Sequence, residues 1–186
     1  MKKIIFILLL ATTFSCSNSD DSPTEELLIP GNKLTAKIDG QNFAALDEST
    51  SAGFSQANSV TAILIAGGST NPSSSNFSTE AIGIALTIIQ ESEFTASSQW
   101  YVNSDNGDII VAGAYSRGDS LNDTSNIIEA SSDTDQLSSA RIRITKLDRT
   151  LKTISGEFEF TAEDEETGQI HTITEGRFKD IQYESN

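Results

Sequence analysis

Side chains that carry out chemistry are scarce in this chain. Of its 186 residues, one is cysteine, one is histidine, one is tryptophan and three are proline. A single cysteine excludes an internal disulfide framework, so packing alone must hold the fold. One histidine and one thiol leave a His/Cys zinc centre without its ligand set. Basic residues are also few, 12 against 27 acidic ones, for a formal net charge of −15. Proteins that bind nucleic acid neutralise phosphates with Lys and Arg, and anionic membranes attract polybasic segments. Neither partner fits this balance. There is no phosphate-cradling glycine loop and no dinucleotide fingerprint. There is no Gly-x-Ser-x-Gly elbow either. The apolar run Ile4 to Ala11 is far shorter than the about 20 residues that cross a bilayer.

That run is nonetheless informative. Lys2 and Lys3 precede it and the small residues Thr12, Thr13 and Ser15 follow it, which is the layout of a secretory signal. Thr13-Phe14-Ser15-Cys16 resembles the lipobox of bacterial lipoproteins. The resemblance implies removal of residues 1–15 and lipid (palmitate or its like) on Cys16, at the sulfur and at the new amino terminus. Several acyl chains on one residue would anchor the protein stably without crossing the membrane. Losing Lys2 and Lys3 makes the mature chain two units more acidic, which keeps neighbouring copies apart.

Residues 16–32 read as a tether. Ser, Asn, Asp and Pro cannot bury apolar area and remain extended and solvated. Ser17, Asn18, Ser19, Asp20 and Asp21 resemble the acidic stretch behind the lipidated cysteine of Bacteroidota lipoproteins. There the stretch accompanies export to the outer face of the outer membrane. Thr24 to Leu28 has some helical character, which Pro30-Gly31 ends.

Residues 33–186 read as a single β-rich domain, a size that supports a full hydrophobic core. Two-residue alternation is the signature of half-buried strands. Lys33 to Asp39 sets Leu34, Ala36 and Ile38 on one face. Asp39-Gly40 signals a tight turn, and Phe43 starts the return strand. Val60 to Ala66 is apolar throughout, as in a strand covered on both sides. In Ala81 to Ile89, Ile82, Ile84, Leu86 and Ile88 form a core face. Ala81, Gly83, Ala85 and Thr87 form a small face that leaves room for a close neighbour. Gly67 to Ser78 reads as a mobile loop. Trp100 to Val102 and Ile109 to Tyr115 flank an Asn106-Gly107 turn, and Asn126 to Ala130 is a short strand. Ala140 to Thr145 turns Arg141 and Arg143 outward. Gly156 to Ala162 turns Gly156, Phe158, Phe160 and Ala162 inward and Glu157 and Glu159 outward. Opposite charges on these consecutive strands would help set their register. Thr167-Gly168 makes the next turn. Ile170 and Ile173 break parity, which predicts a β-bulge between them. No segment keeps a helical period. The fold class expected is all-β, an antiparallel β-sandwich, with an open or closed β-barrel as the alternative.

Ile38-Asp39-Gly40, Ser155-Gly156-Glu157-Phe158-Glu159-Phe160 and Thr174-Glu175-Gly176-Arg177-Phe178 together resemble small flavobacterial lipoproteins of unknown function. These combine an early strand ending in Asp-Gly with a C-terminal SGxFxF…GxF hairpin. No catalytic or binding residue carries over from them.

The candidate chemistry is thin. His171, on a strand beside an acidic turn, reads as solvent-facing; a Ser-His-Asp triad would have to use it. Trp100, Tyr101 and Tyr115 are the few aromatics available as a sugar platform, and Trp100-Tyr101 read rather as core or interface aromatics. Asp105, Asp108, Asp119 and Asp123 supply oxygen ligands of the kind calcium takes, without matching its loop motif. No other cofactor is implied, and the catalytic inventory is empty. The leading expectation is a non-enzymatic binding or accessory module at the cell surface, with a protein or glycan ligand. The rivals are a periplasm-facing envelope-assembly lipoprotein and a hydrolase working through carboxylates.

Overall fold

Short turns between alternating apolar strands recur through the computed structural model, which describes residues 33–71, 78–90, 93–118, 128–131, 139–164 and 166–185. Eleven strands occur among them: β1 (Leu34–Ile38), β2 (Gln41–Ala44), β3 (Ser51–Ala57), β4 (Val60–Asn71), β5 (Ser78–Ile89), β6 (Tyr101–Val102), β7 (Ile109–Gly118), β8 (Ile128–Ser131), β9 (Arg141–Asp148), β10 (Thr153–Asp164) and β11 (Ile170–Ser185). One 3-10 turn, Asp47–Ser49, is the sole helical piece among the described residues.

The strands make one sheet in the order β2-β1-β11-β3-β4-β5-β7-β8-β10-β9-β6. All pairings are antiparallel except β11 with β3. The sheet's end strands are β2 and β6. Because β11 also pairs with β10, it folds over on itself. One layer is β3, β4, β5 and β7; the other is β1, β11, β10 and β9. Both turn their inward rows into a single core. The architecture is all-β, with the two facing layers of a sandwich.

Period-two patterning sets those rows. Ile82, Ile84, Leu86 and Ile88 are buried, as are Phe158, Phe160 and Ala162. The layers meet where β7 offers a glycine to a β10 aromatic. A methyl group at Gly113 would lie 2.3 Å from Cγ of Phe160, so only glycine fits under that ring. The outward arginines and glutamates do meet: Glu157 stands opposite Arg143 and Glu159 opposite Arg141, and both couples are ion-paired.

Four expectations change. Val60 to Ala66 is covered on one face only, since Leu64 is 53% exposed. Its outward neighbours Ala62 and Ala66 carry no charge, which made an open face look buried. Gly67 to Ser78 is not a loop from end to end, because β4 runs to Asn71 and β5 starts at Ser78. Residues 72–77 lie outside the described residues. No bulge separates Ile170 from Ile173: both pair regularly with β10, and the register shifts only beyond Ile173, where Glu175 adopts φ 52°. The parity break arises because Ile170 points outward while the inward partner of Ile173 is His171, 4% exposed. His171 is therefore buried, not solvent-facing. Strand β3 was not legible in the pattern; it turns into β4 at Asn58-Ser59, both with positive φ.

Candidate functional site

The polar residues that gather without being dictated by packing lie at one corner of the sheet. Asp39-Gly40 forms the β1–β2 turn, with φ of 50° and 80°. Both values lie in the left-handed region, which Asp and Gly tolerate. That conformation turns the Asp39 carboxylate toward the first residues of β11. Its Oδ1 accepts the Thr172 N–H at 2.8 Å, and its Oδ2 lies 2.8 Å from His171 Nδ1. An ionised carboxylate only accepts, so Nδ1 carries the proton and donates it. The other ring nitrogen, Nε2, is buried and has no hydrogen-bond partner. The Tyr115 ring tilts against the imidazole, with centroids 4.9 Å apart, and its hydroxyl donates to Glu80 Oε1 at 3.1 Å.

Turn chemistry fixes β11 on the other side. Asp164 Oδ1 accepts the N–H of Glu166 at 2.9 Å, and Oδ2 accepts the Thr167 hydroxyl at 2.6 Å. Gly168 follows with φ 71°. The tight 164–169 reversal places Gln169 and His171 beside the β1–β2 turn.

Together these elements enclose a cleft of about 410 Å³. Its floor is Ile38, Phe43, Tyr115 and His171, all buried. Its rim holds Asp39, Gln41, Asn42, Glu80, Arg117 and Gln169. Burial pushes the Asp39 carboxyl up, but the Thr172 and His171 hydrogen bonds outweigh it and hold the group below the usual carboxylate range. Burial, followed by the Glu80 charge, pushes the Tyr115 phenol far above its ordinary value. The corner thus holds a fixed carboxylate, a phenol whose ionisation burial disfavours and an imidazole with one buried, unpartnered nitrogen. It can offer hydrogen bonds in both senses above an apolar floor, the general make-up of a small-ligand site.

The sequence candidates sit elsewhere. Asp105 and Asp108 lie in the exposed turn before β7, where the Asp108 carboxylate is taken up by the side-chain amide of Asn106. Asp119 and Asp123 lie outside the described residues, as do Cys16 and the segment Ser17, Asn18, Ser19, Asp20 and Asp21. Among the described residues no three His, Cys, Asp or Glu side chains converge as a metal set, and no helix is long and apolar enough to cross a membrane. Trp100 lies against the guanidinium groups of Arg141 and Arg143, at 4.6 and 5.1 Å from its ring centroid. The Asp39–His171 pair escaped the sequence reading. Its one available signal was that His171 shares the inward parity of Ile173.

Neither the curated proteins nor the solved structures gave a match to the chain. A family profile does match, over residues 32–182, and the chain belongs to that family, described as "Domain of unknown function (DUF6252)".

Proposed function

We propose that this protein is a lipid-anchored, non-enzymatic binding module on the outer face of the outer membrane, and that the Asp39–His171 corner takes the end of a glycan. The carrying observation is the cleft itself. Asp39, Gln41, Asn42, Glu80 and Gln169 are planar carboxylate and amide groups, suited to neighbouring sugar hydroxyls, which both donate and accept. Ile38, Phe43 and Tyr115 suit the C–H face of a pyranose. The buried, unpartnered Nε2 of His171 leaves a hydrogen bond for a sugar hydroxyl to complete, since a hydroxyl both donates and accepts.

Catalysis is the weaker reading. Among the described residues no hydroxyl or thiol meets Nε2, so none of them stands as a nucleophile for the Asp-His pair to activate. The carboxyls of Asp39, Asp164 and Asp180 are all held below the usual range, the wrong direction for the general acid of a glycosidase. The anchor rests on Cys16 and its flanking residues, and the outward address on Ser17 to Asp21. A periplasm-facing role in envelope assembly shares the anchor and differs in the address.

Two measurements test this reading. Proteinase added to intact cells should remove the domain while a periplasmic protein survives, and Cys16→Ala should free the chain from the membrane fraction. Protection of the domain would instead favour the periplasm-facing role. His171 is the only histidine, so one imidazole signal in a nitrogen-resolved NMR spectrum of the full chain reports on the cleft. Titration with neutral oligosaccharides should move that signal saturably, with no product formed. An unmoved signal across a broad glycan panel would overturn the glycan reading, and turnover would overturn the non-enzymatic one.

A further inference from the structure

We propose that the outer face of β3, β4, β5 and β7 is the surface through which two copies of this chain associate. Three outward rows run across all four strands: Ser51, Ala66, Gly83 and Ala114; Gly53, Leu64, Ala85 and Ala112; Ser55, Ala62, Thr87 and Ile110. Val60 and Ile89 extend them at one end. None of these positions carries a charge, in a chain of net charge −15. The other layer differs sharply. Its outer face holds the ion pairs Lys37–Glu175, Arg141–Glu159, Arg143–Glu157 and Lys146–Asp180. A solvated sheet face of an acidic protein ordinarily alternates core residues with charged ones, and β9, β10 and β11 obey that rule. The β3-β4-β5-β7 layer breaks it while leaving Leu64, Ile89 and Ile110 about half exposed (53%, 54% and 48%).

Charge and area select a second copy as the occupant. Acidic chains repel in every orientation that brings their carboxylates together. Contact between the two uncharged layers keeps those groups furthest apart. A twofold axis near Leu64 and Ala85 would lay rows of small residues on rows of small residues, as two packed sheets require. Four strands spaced about 4.8 Å apart and about eight residues long present about 500 Å² per copy, or about 1,000 Å² in total. That lies at the lower limit for a specific interface, so the dimer is weak and reversible. Over the face itself lies an open groove of about 950 Å³, lined by Gly53, Leu64, Ala85 and Thr87 and reaching the β9–β10 turn, where Leu151 is 65% exposed. It gives the partner's protruding side chains a place to seat.

The test is sedimentation equilibrium of the full chain in density-matched detergent, over micromolar to millimolar concentration. The wild-type chain should show a monomer–dimer equilibrium. Ala85→Asp and Ala85→Lys should each weaken it at least about tenfold, because like charges then face one another across the axis. An equimolar mixture of the two variants should regain dimer, which a merely misfolded variant would not do. Glu159→Lys, on the other layer, should leave the equilibrium unchanged. A wild-type chain monomeric throughout, undiminished dimer in both Ala85 variants, or no recovery on mixing would overturn the proposal.

Discussion

Replacing Asp39 by alanine removes two hydrogen bonds and forces a backbone conformation that alanine resists. Asp39 is a turn residue at φ 50°, where an L-residue with an ordinary Cβ pays roughly 1 kcal/mol. Its Oδ1 bond to the Thr172 N–H faces solvent, so water replaces it and the loss is about 1 kcal/mol. The bond from His171 Nδ1 differs, because the His171 side chain is 6% exposed. A buried donor left alone costs about 1–2 kcal/mol more than a solvated one. The total is about 3–4 kcal/mol, which for a domain of this size lowers Tm by about 10 °C. Asp39→Asn should cost about 1 kcal/mol, since asparagine tolerates the turn and keeps one acceptor oxygen. Urea unfolding followed by fluorescence of Trp100, the only tryptophan, separates the two variants. The reasoning fails if Asp39→Ala is as stable as the wild type, or if Asp39→Asn loses as much as Asp39→Ala. The pH dependence gives a second check with a fixed sign. The folded Asp39 carboxyl is held below its ordinary value, so its stabilisation is complete above the unfolded value of about 3.9. It is lost as pH falls through the folded value. The gap between wild type and Asp39→Asn should therefore narrow below pH about 4.

Three further outcomes follow from the same geometry. Tyr115 is raised by burial and by Glu80, so its contribution is full below the ordinary tyrosine value and lost as pH climbs far above it. Ultraviolet titration should show one of the three tyrosines ionising only as the chain unfolds, and Tyr115→Phe should abolish that late step. Gly113→Ala drives a methyl into the Phe160 ring and should cost about 1–3 kcal/mol of unfolding free energy. Combined with Phe160→Leu it should cost less than the sum of the single changes, as a double-mutant cycle in urea will show. Arg141→Ala and Arg143→Ala each lose a glutamate partner and a contact with Trp100. Each should cost about 1 kcal/mol and shift Trp100 fluorescence, with the larger loss at the more buried Arg143.

What the sequence disclosed followed from how each element meets solvent. Period two was strong in β5, β9 and β10, because there one face meets the core and the other meets water, and the residues differ accordingly. That Arg141 and Arg143 face outward beside Glu157 and Glu159 was legible from alternation alone, while the register decides which arginine meets which glutamate. Where that contrast fades, the reading failed. Strand β3 is small and neutral on its outer side, so its pattern is faint. Strand β4 looked fully buried because its outer residues are as apolar as its inner ones. At the corner, His171 was read as a surface residue from its polarity. Its place in the core depends on a carboxylate 132 residues earlier, and no local window contains that partner. The two failures share a cause: both arise where side chains depart from the division into apolar core and charged surface. Such departures have to be stabilised by something. At the corner it is the Asp39 hydrogen bonds, which a hydroxylated ligand of the kind proposed would complete at Nε2. On the neutral layer, which no described element covers, a second copy would meet the need. The sites least legible in the sequence are thus the ones on which both proposals rest.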